Sequence, residues 1–250
     1  MRWCKYIMEK NISFSNFNKF PNLLIALSLR EDKNMKVYYE FGKDDRALIN
    51  RERFLNKLGL SGENVIGVKS VNGDKIEIVT KEDRGNFIHN MDGLITNDKN
   101  VYLSITIADC LPIVIFDPQK EVISLIHSGW KGLEKKITKK AIKKMEENFD
   151  VNSKELIVGI GPGIGVCHFE VKEDFSAKFK SFPEAIIKKD GKSYVDLKLI
   201  AKRQLEEAGI KPENIDVSSV CTYCQADTYF SYRKDKSEPV QAMMLIAGMK

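Results

Sequence analysis

The chain has 250 residues, 43% of them hydrophobic and 30% charged, enough apolar material for a sizeable core. Lys and Arg number 40 against 35 acidic residues, and the resulting formal charge of +5 reads as a lysine-rich solvated surface rather than a nucleic-acid stripe, while leaving an anionic substrate compatible. No window approaches the roughly 18 continuous apolar residues of a membrane span, the first ten residues lack a signal-peptide core, and five cysteines without secretory context imply a reduced, cytoplasmic protein.

Taken in order, Leu23–Leu29 and Lys36–Phe41 read as strands with Glu31–Asn34 as the turn between them. Asp44–Leu58 carries a helical stripe of Leu48, Phe54, Leu55 and Leu58 that stops at Gly59. Val65–Val71 and Lys75–Thr80 alternate around Asn72-Gly73, a strong two-residue hairpin signal. Short strands follow at Asp92–Asn97 and Val101–Ala108. Leu133, Ile137, Ala141, Met145 and Phe149 step by four and mark one amphipathic helix whose stripe belongs to the core. Glu155–Ile160 is a buried strand, Val166–Val171 is extended, and Glu173–Phe179 is helical. A helix near Leu197–Ala208 starts at the N-cap candidate Asp196, and strands at Ile215–Val220 and Gln241–Ala247 complete the chain. Strands outnumber helices and hairpins mix with crossovers, which predicts a mixed-sheet α/β or α+β fold in a single domain over residues 1–250.

The informative stretch lies between Ala108 and Leu133. Two apolar runs, Pro112–Phe116 and Val122–Ile126, flank the turn formers Asp117-Pro118-Gln119-Lys120, so a hairpin of buried strands is expected. Cys110 precedes the first strand and His127 follows the second, so the hairpin returns thiol and imidazole to one end of the sheet. Such a pair suits either a soft metal, zinc or copper, or a metal-free dyad in which His127 activates the thiol. The residues alone leave both readings open.

Other features weigh less. Gly159, Gly161, Gly163 and Gly165 miss the dinucleotide spacing, and no Gly-Lys-Ser/Thr follows, so Rossmann and P-loop sites are poor readings. Cys221 and Cys224 form one C-x-x-C with no second pair nearby, and a pair of buried thiols in a turn is preferred over a structural zinc site. His89 and His168 read as surface or satisfied histidines, while Arg51, Lys69 and Arg233 are individually ordinary charges.

Four ordered motifs carry a resemblance: Ala108-Asp109-Cys110-Leu111-Pro112; His127-Ser128-Gly129-Trp130-Lys131-Gly132; Gly161 through Val171; and Cys221-Thr222-x-Cys224 through Asp235. With weaker matches at Asn50-Arg51 and Asp92–Thr96, the chain resembles the laccase-domain polyphenol oxidases, a family mostly regarded as purine nucleoside phosphorylases. The resemblance implies a mixed β-sandwich flanked by helices, shared with toxin deamidases that use a Cys–His pair. It implies phosphorolysis of a purine nucleoside by inorganic phosphate, adenosine deamination as a side activity, and a zinc or copper centre. The family's ligands are a Cys, the His of the His-x-Gly-Trp motif, and an earlier His before a glycine. The first two fall on Cys110 and His127, but Asn72 stands where the third belongs. Any metal is then held by Cys110 and His127 with Asn72, His89 or solvent completing the shell. Asn72 also joins Cys110 and His127 as a catalytic candidate, with Lys69, Arg51 and Arg233 as substrate contacts. The family's final Gly-Arg is replaced by Pro239-Val240-Gln241. These departures sustain two alternatives, a metal-free Cys–His hydrolase or deamidase and a catalytically degenerate family member.

Overall fold

The computed structural model describes residues 12, 14–40 and 42–250; the reading of the first ten residues, and the Phe41 end of the second predicted strand, lie outside them. Among the described residues the two larger sheets stack face to face. One runs, in spatial order, Leu23–Leu27, Met243–Met249, Tyr102–Ile107, Val65–Lys69 and Phe87–His89. The other runs Ile215–Val217, Ile157–Ile160, Leu111–Asp117, Val122–Ser128, Gly93–Thr96 and Ile76–Ile78. Parallel and antiparallel pairs occur in both, giving the expected mixed sandwich.

The central hairpin is buried on both faces, which explains its unbroken apolar runs. Val114, Phe116, Ile123 and Leu125 point between the sheets and meet Leu103, Ile105, Leu245 and Ala247. Ile113, Ile115 and Ile126 point outward and are covered by Ile137, Ala141 and Met145 of the helix Ile137–Phe149 and by Ile200 and Leu205 of the helix Leu197–Glu207. On the far side, Phe54 and Leu55 of the helix Asp45–Lys57 close over Leu24, Met244 and Ile246. Asp196 caps its helix as expected, and Asp44, read as the first helical residue, is likewise an N-cap, both accepting backbone N–H bonds at the first turn.

Three expectations are corrected. Val65–Lys69 and Ile76–Ile78 do not form a hairpin; they lie in different sheets, each in a parallel pair. A type I′ turn needs positive φ at both central residues, and of this pair only Asn72 (φ 55°) has it. The single amphipathic helix is broken by Lys136 in the left-handed region (φ 58°), so Trp130–Glu134 forms a separate short helix. Val166–His168 is a turn and only Glu170–Val171 is strand, because His168 and Phe169 both donate backbone bonds to the Gly165 carbonyl. That turn leads to a small third sheet containing the hairpin Ile186–Lys189 and Lys192–Val195 around Asp190-Gly191, where both residues do have positive φ (51° and 72°). Among the described residues, no helix is long and apolar enough to cross a membrane.

Candidate active site

The register of the central hairpin places His127 opposite Pro112 and Ser128 opposite Leu111, so Cys110 reaches the sheet end beside the imidazole. The Cys110 thiol and the His127 ring line the same cleft, close enough for the sulfur to act on the charge of the ring, and Cys110 Sγ lies 4.0 Å from Asn72 Oδ1. Gly129 makes this convergence possible: a Cβ there would stand 2.9 Å from Cys110 Sγ and 3.5 Å from Asn72 Oδ1. The backbone at Gly129 then enters the short helix without a side chain in the way.

Asp92 organises the three. It is fully buried, and its carboxylate accepts backbone N–H bonds from Val71 (3.3 Å), Asn72 (2.9 Å) and Gly73 (2.7 Å). His127 Nδ1 lies 3.0 Å from Asp92 Oδ1. The crossing between the two sheets is thus folded around one buried anion, and the same anion orients the ring. Burial alone would raise the Asp92 carboxyl, but the His127 bond and charge and the backbone donors hold it below the usual carboxylate range. Burial alone would lower His127, yet the Cys110 charge and the bonds to Asp92 and Cys110 outweigh it and raise the ring to about 10. Cys110, His127 and Asp92 therefore form a thiol–imidazole–carboxylate relay. Asp92 was read only as the start of a strand; its place in the Asp92–Thr96 motif was a signal without an assigned role.

The relay opens into a cleft of about 470 Å³. Asn72, Cys110, His127 and Arg233 all line it, beside Lys36 and Lys131, two cations that sequence reading did not single out. Burial lowers the Lys36 ammonium against the raising influence of Glu40 and Cys110. Arg233 donates from Nη1 to the Glu170 carbonyl (3.0 Å), and its backbone N–H donates to Asp109 (2.7 Å). Asp109 also accepts from Thr222 Oγ1 at 2.6 Å, which ties the Cys221–Cys224 segment to the cleft wall. Arg51 and Lys69 line a narrower recess that shares Lys36, Ser70 and Thr106 with the cleft. Arg51 is buried, donates from Nε to the Met35 carbonyl (2.7 Å), and is lowered to about 10 by its burial. His89 is exposed on the edge strand Phe87–His89, against the Tyr38 ring, and is not among the cleft residues.

Cys110 and His127 are two donors of the kind a soft ion takes, and a carboxylate on Nδ1 is the usual way a ligating histidine is oriented. The third polar atom here is the neutral Asn72 oxygen, so the residues fall short of the three strong protein donors of a catalytic zinc site. Elsewhere the chain does hold a Cys/His cluster compatible with a metal ion: Cys167, His168, Cys221 and Cys224 present ligand atoms all within 4.8 Å of one another. The preferred reading of Cys221 and Cys224 as two buried thiols is corrected, because Cys224 is exposed and both face Cys167 and His168.

A mixed sandwich that assembles a Cys–His–Asp relay at one sheet end defines a class, and comparison with known proteins identifies it. The family model for the multi-copper polyphenol oxidoreductase laccase matches residues 34–248, and the chain belongs to this family. A purine nucleoside phosphorylase of Bacteroides thetaiotaomicron is 30% identical over 247 residues, covering 90% of this chain and 92% of the relative. Purine nucleoside phosphorylase YlmD of Bacillus subtilis is 28% identical over 220 residues, covering 83% and 79%. The crystal structure of YlmD from Geobacillus stearothermophilus superposes with a TM-score of 0.86 at 26% identity, covering 93% of this chain and 94% of that one.

Proposed function

We propose that this chain is a purine nucleoside phosphorylase that converts inosine or adenosine and inorganic phosphate into free base and ribose 1-phosphate. The cleft is the observation that carries this reading. Its Trp130, Ile164, Phe169 and Leu197 offer apolar surface for a purine, its Lys36, Lys131 and Arg233 suit a phosphate, and Cys110 and His127 open into the same space. The names of the relatives support the same activity.

In the proposed reaction a phosphate oxygen forms a bond to the ribose C1′ while the C1′–N9 bond breaks and its electron pair leaves with the purine. The base takes the proton given up by the attacking phosphate monoanion. A ring raised to about 10 is a poor proton donor at neutral pH. His127 therefore acts as a fixed buried cation, stabilising negative charge as it develops on the departing purine. Asp92 and the Cys110 sulfur keep that cation in place, and no step is routed through a metal. In the deamination reading, a water oxygen bonds to adenosine C6, one water proton passes to the amino group and the other to N1, the C6–N bond breaks, and ammonia leaves with inosine as the product. Incubation with inosine and phosphate, followed by chromatography, should show phosphate-dependent hypoxanthine; none would overturn the main reading.

A second reading rests on the relay itself. A thiol beside a histidine held charged by an aspartate is the arrangement of a cysteine hydrolase or deamidase. Cys110 would then alkylate rapidly at neutral pH, whereas in the phosphorylase reading inosine protects it from alkylation.

A further inference from the structure

The cluster around Cys224 lies outside the relay and is unused by the proposed reaction. Cys167 Sγ and Cys224 Sγ are 3.6 Å apart, and His168 Nδ1 lies 3.3 Å from each of them. Cys221 completes the group from the buried side. A tetrahedral ion with bonds of roughly 2.3 Å to sulfur and 2.0–2.1 Å to nitrogen sets its ligand atoms about 3.4–3.8 Å apart. The three contacts among Cys167, His168 and Cys224 lie close to those edges, and Cys221 Sγ stands within 4.8 Å of each of them, whereas a disulfide would need the two sulfurs at about 2.05 Å.

We propose that Cys167, His168, Cys221 and Cys224 form a closed tetrahedral zinc site, structural in role and separate from the Cys110–His127 pair. Three thiolates and one imidazole leave no open position for substrate, which is the mark of a structural rather than a catalytic centre.

The surroundings fit the charge such a site would hold. Three thiolates and a divalent zinc sum to one negative charge. The Gly165 N–H donates to Cys221 Sγ at 3.2 Å, supplying the kind of outer-shell bond that orients a ligating sulfur. Gly165 also leaves the sulfurs room, since a Cβ there would crowd Cys167 Sγ at 3.2 Å and Cys221 Cβ at 3.1 Å. Lys198, on the helix Leu197–Glu207, is buried beneath the segment, its Nζ donating to the Ser218 and Val220 carbonyls at 2.7 and 2.5 Å. His168 is further fixed by stacking on Tyr223, with ring centroids 4.0 Å apart and planes at 17°.

The two segments joined here are otherwise coupled by few bonds, notably the Gly163–Cys221 bridge and the Thr222 N–H to the Gly163 carbonyl. They carry Ile164, Phe169 and Arg233 into the cleft wall, so zinc would clamp one side of the substrate pocket.

The test uses protein purified without chelator. Cys110→Ala removes the relay thiol and leaves this cluster intact, so it should keep about one zinc per chain by elemental analysis. Cys110→Ala combined with Cys224→Ser should lose that zinc. Cobalt exchanged into Cys110→Ala should show thiolate-to-metal charge-transfer and tetrahedral visible bands. Alkylation mapped by peptide mass needs no cluster variant: Cys167 and Cys224 should resist iodoacetamide until a strong chelator is added. Equal labelling with and without chelator, a Cys167–Cys224 disulfide, or metal-free Cys110→Ala protein would overturn the proposal. Because every arm reads metal or thiol protection, its failure is distinct from failure of the phosphorylase assay.

Discussion

Asp92→Asn tests the idea that one buried anion both folds the crossing loop and charges His127. The carboxylate oxygens together receive Val71, Asn72 and Gly73 N–H and the His127 ring. An amide keeps the shape but only one oxygen, so the position taken by its NH₂ orphans up to two donors, wholly or partly buried. An unsatisfied buried donor costs about 1–3 kcal/mol, and two of them set the expected loss of stability at about 2–6 kcal/mol near pH 7. The wild type has a defined pH signature. His127 rises from 6.5 unfolded to about 10 folded, so its contribution is complete below about pH 6.5 and fades as pH climbs through 10. Asp92 is depressed, so its contribution is complete above its unfolded pKa and is lost as pH falls through the lower folded value. Urea unfolding from pH 5 to 10 should show the wild type losing stability at the alkaline end, with Asp92→Asn weaker throughout and flatter in slope. A variant within about 0.5 kcal/mol of wild type at pH 7, with the same slope, would refute this account.

Asn72→His should supply the missing donor and tighten zinc at Cys110 and His127 by at least about tenfold, read by competition with a chromophoric chelator. Cys110→Ala should lower kcat/KM for phosphorolysis by about 10²-fold, through loss of the sulfur that holds the His127 ring in place, with folding unchanged by circular dichroism. Lys36→Ala should raise the KM for phosphate about tenfold while leaving the nucleoside KM within about twofold. Because burial lowers the Lys36 ammonium, wild-type phosphate affinity should weaken with rising pH before an ordinary lysine would discharge.

What could be read directly was local and periodic. The hairpin Leu111–Ser128 announces itself by two apolar runs around a turn, and strand pairing alone returns Cys110 to His127. Helix stripes and the capping Asp196 were equally legible, since each depends on residues within a few positions. The same local logic misled at Asn72-Gly73, where the competing bond donors go to a carboxylate some twenty residues away rather than across a hairpin. Asn72 stands out in the motifs and lines the cleft, but nothing in its sequence neighbourhood reveals Asp92 as the group that holds it.

Most strands of the two large sheets, the family motifs and the meeting of Cys110 with His127 were legible in the chain, because period and turn chemistry specify them over short range, while the edge strand Phe87–His89 and the hairpin Ile186–Val195 left no such signal. Only the tertiary structure decided what those residues face. It set Lys36 and Arg233 on one cleft, took His89 away to an exposed edge, and brought Cys167 and His168 to Cys221 and Cys224 across more than fifty residues. The reason is physical: burial of the two sheet faces fixes where distant loops meet, and neither a ligand cluster nor a charged cleft leaves a periodic trace in the chain that builds it.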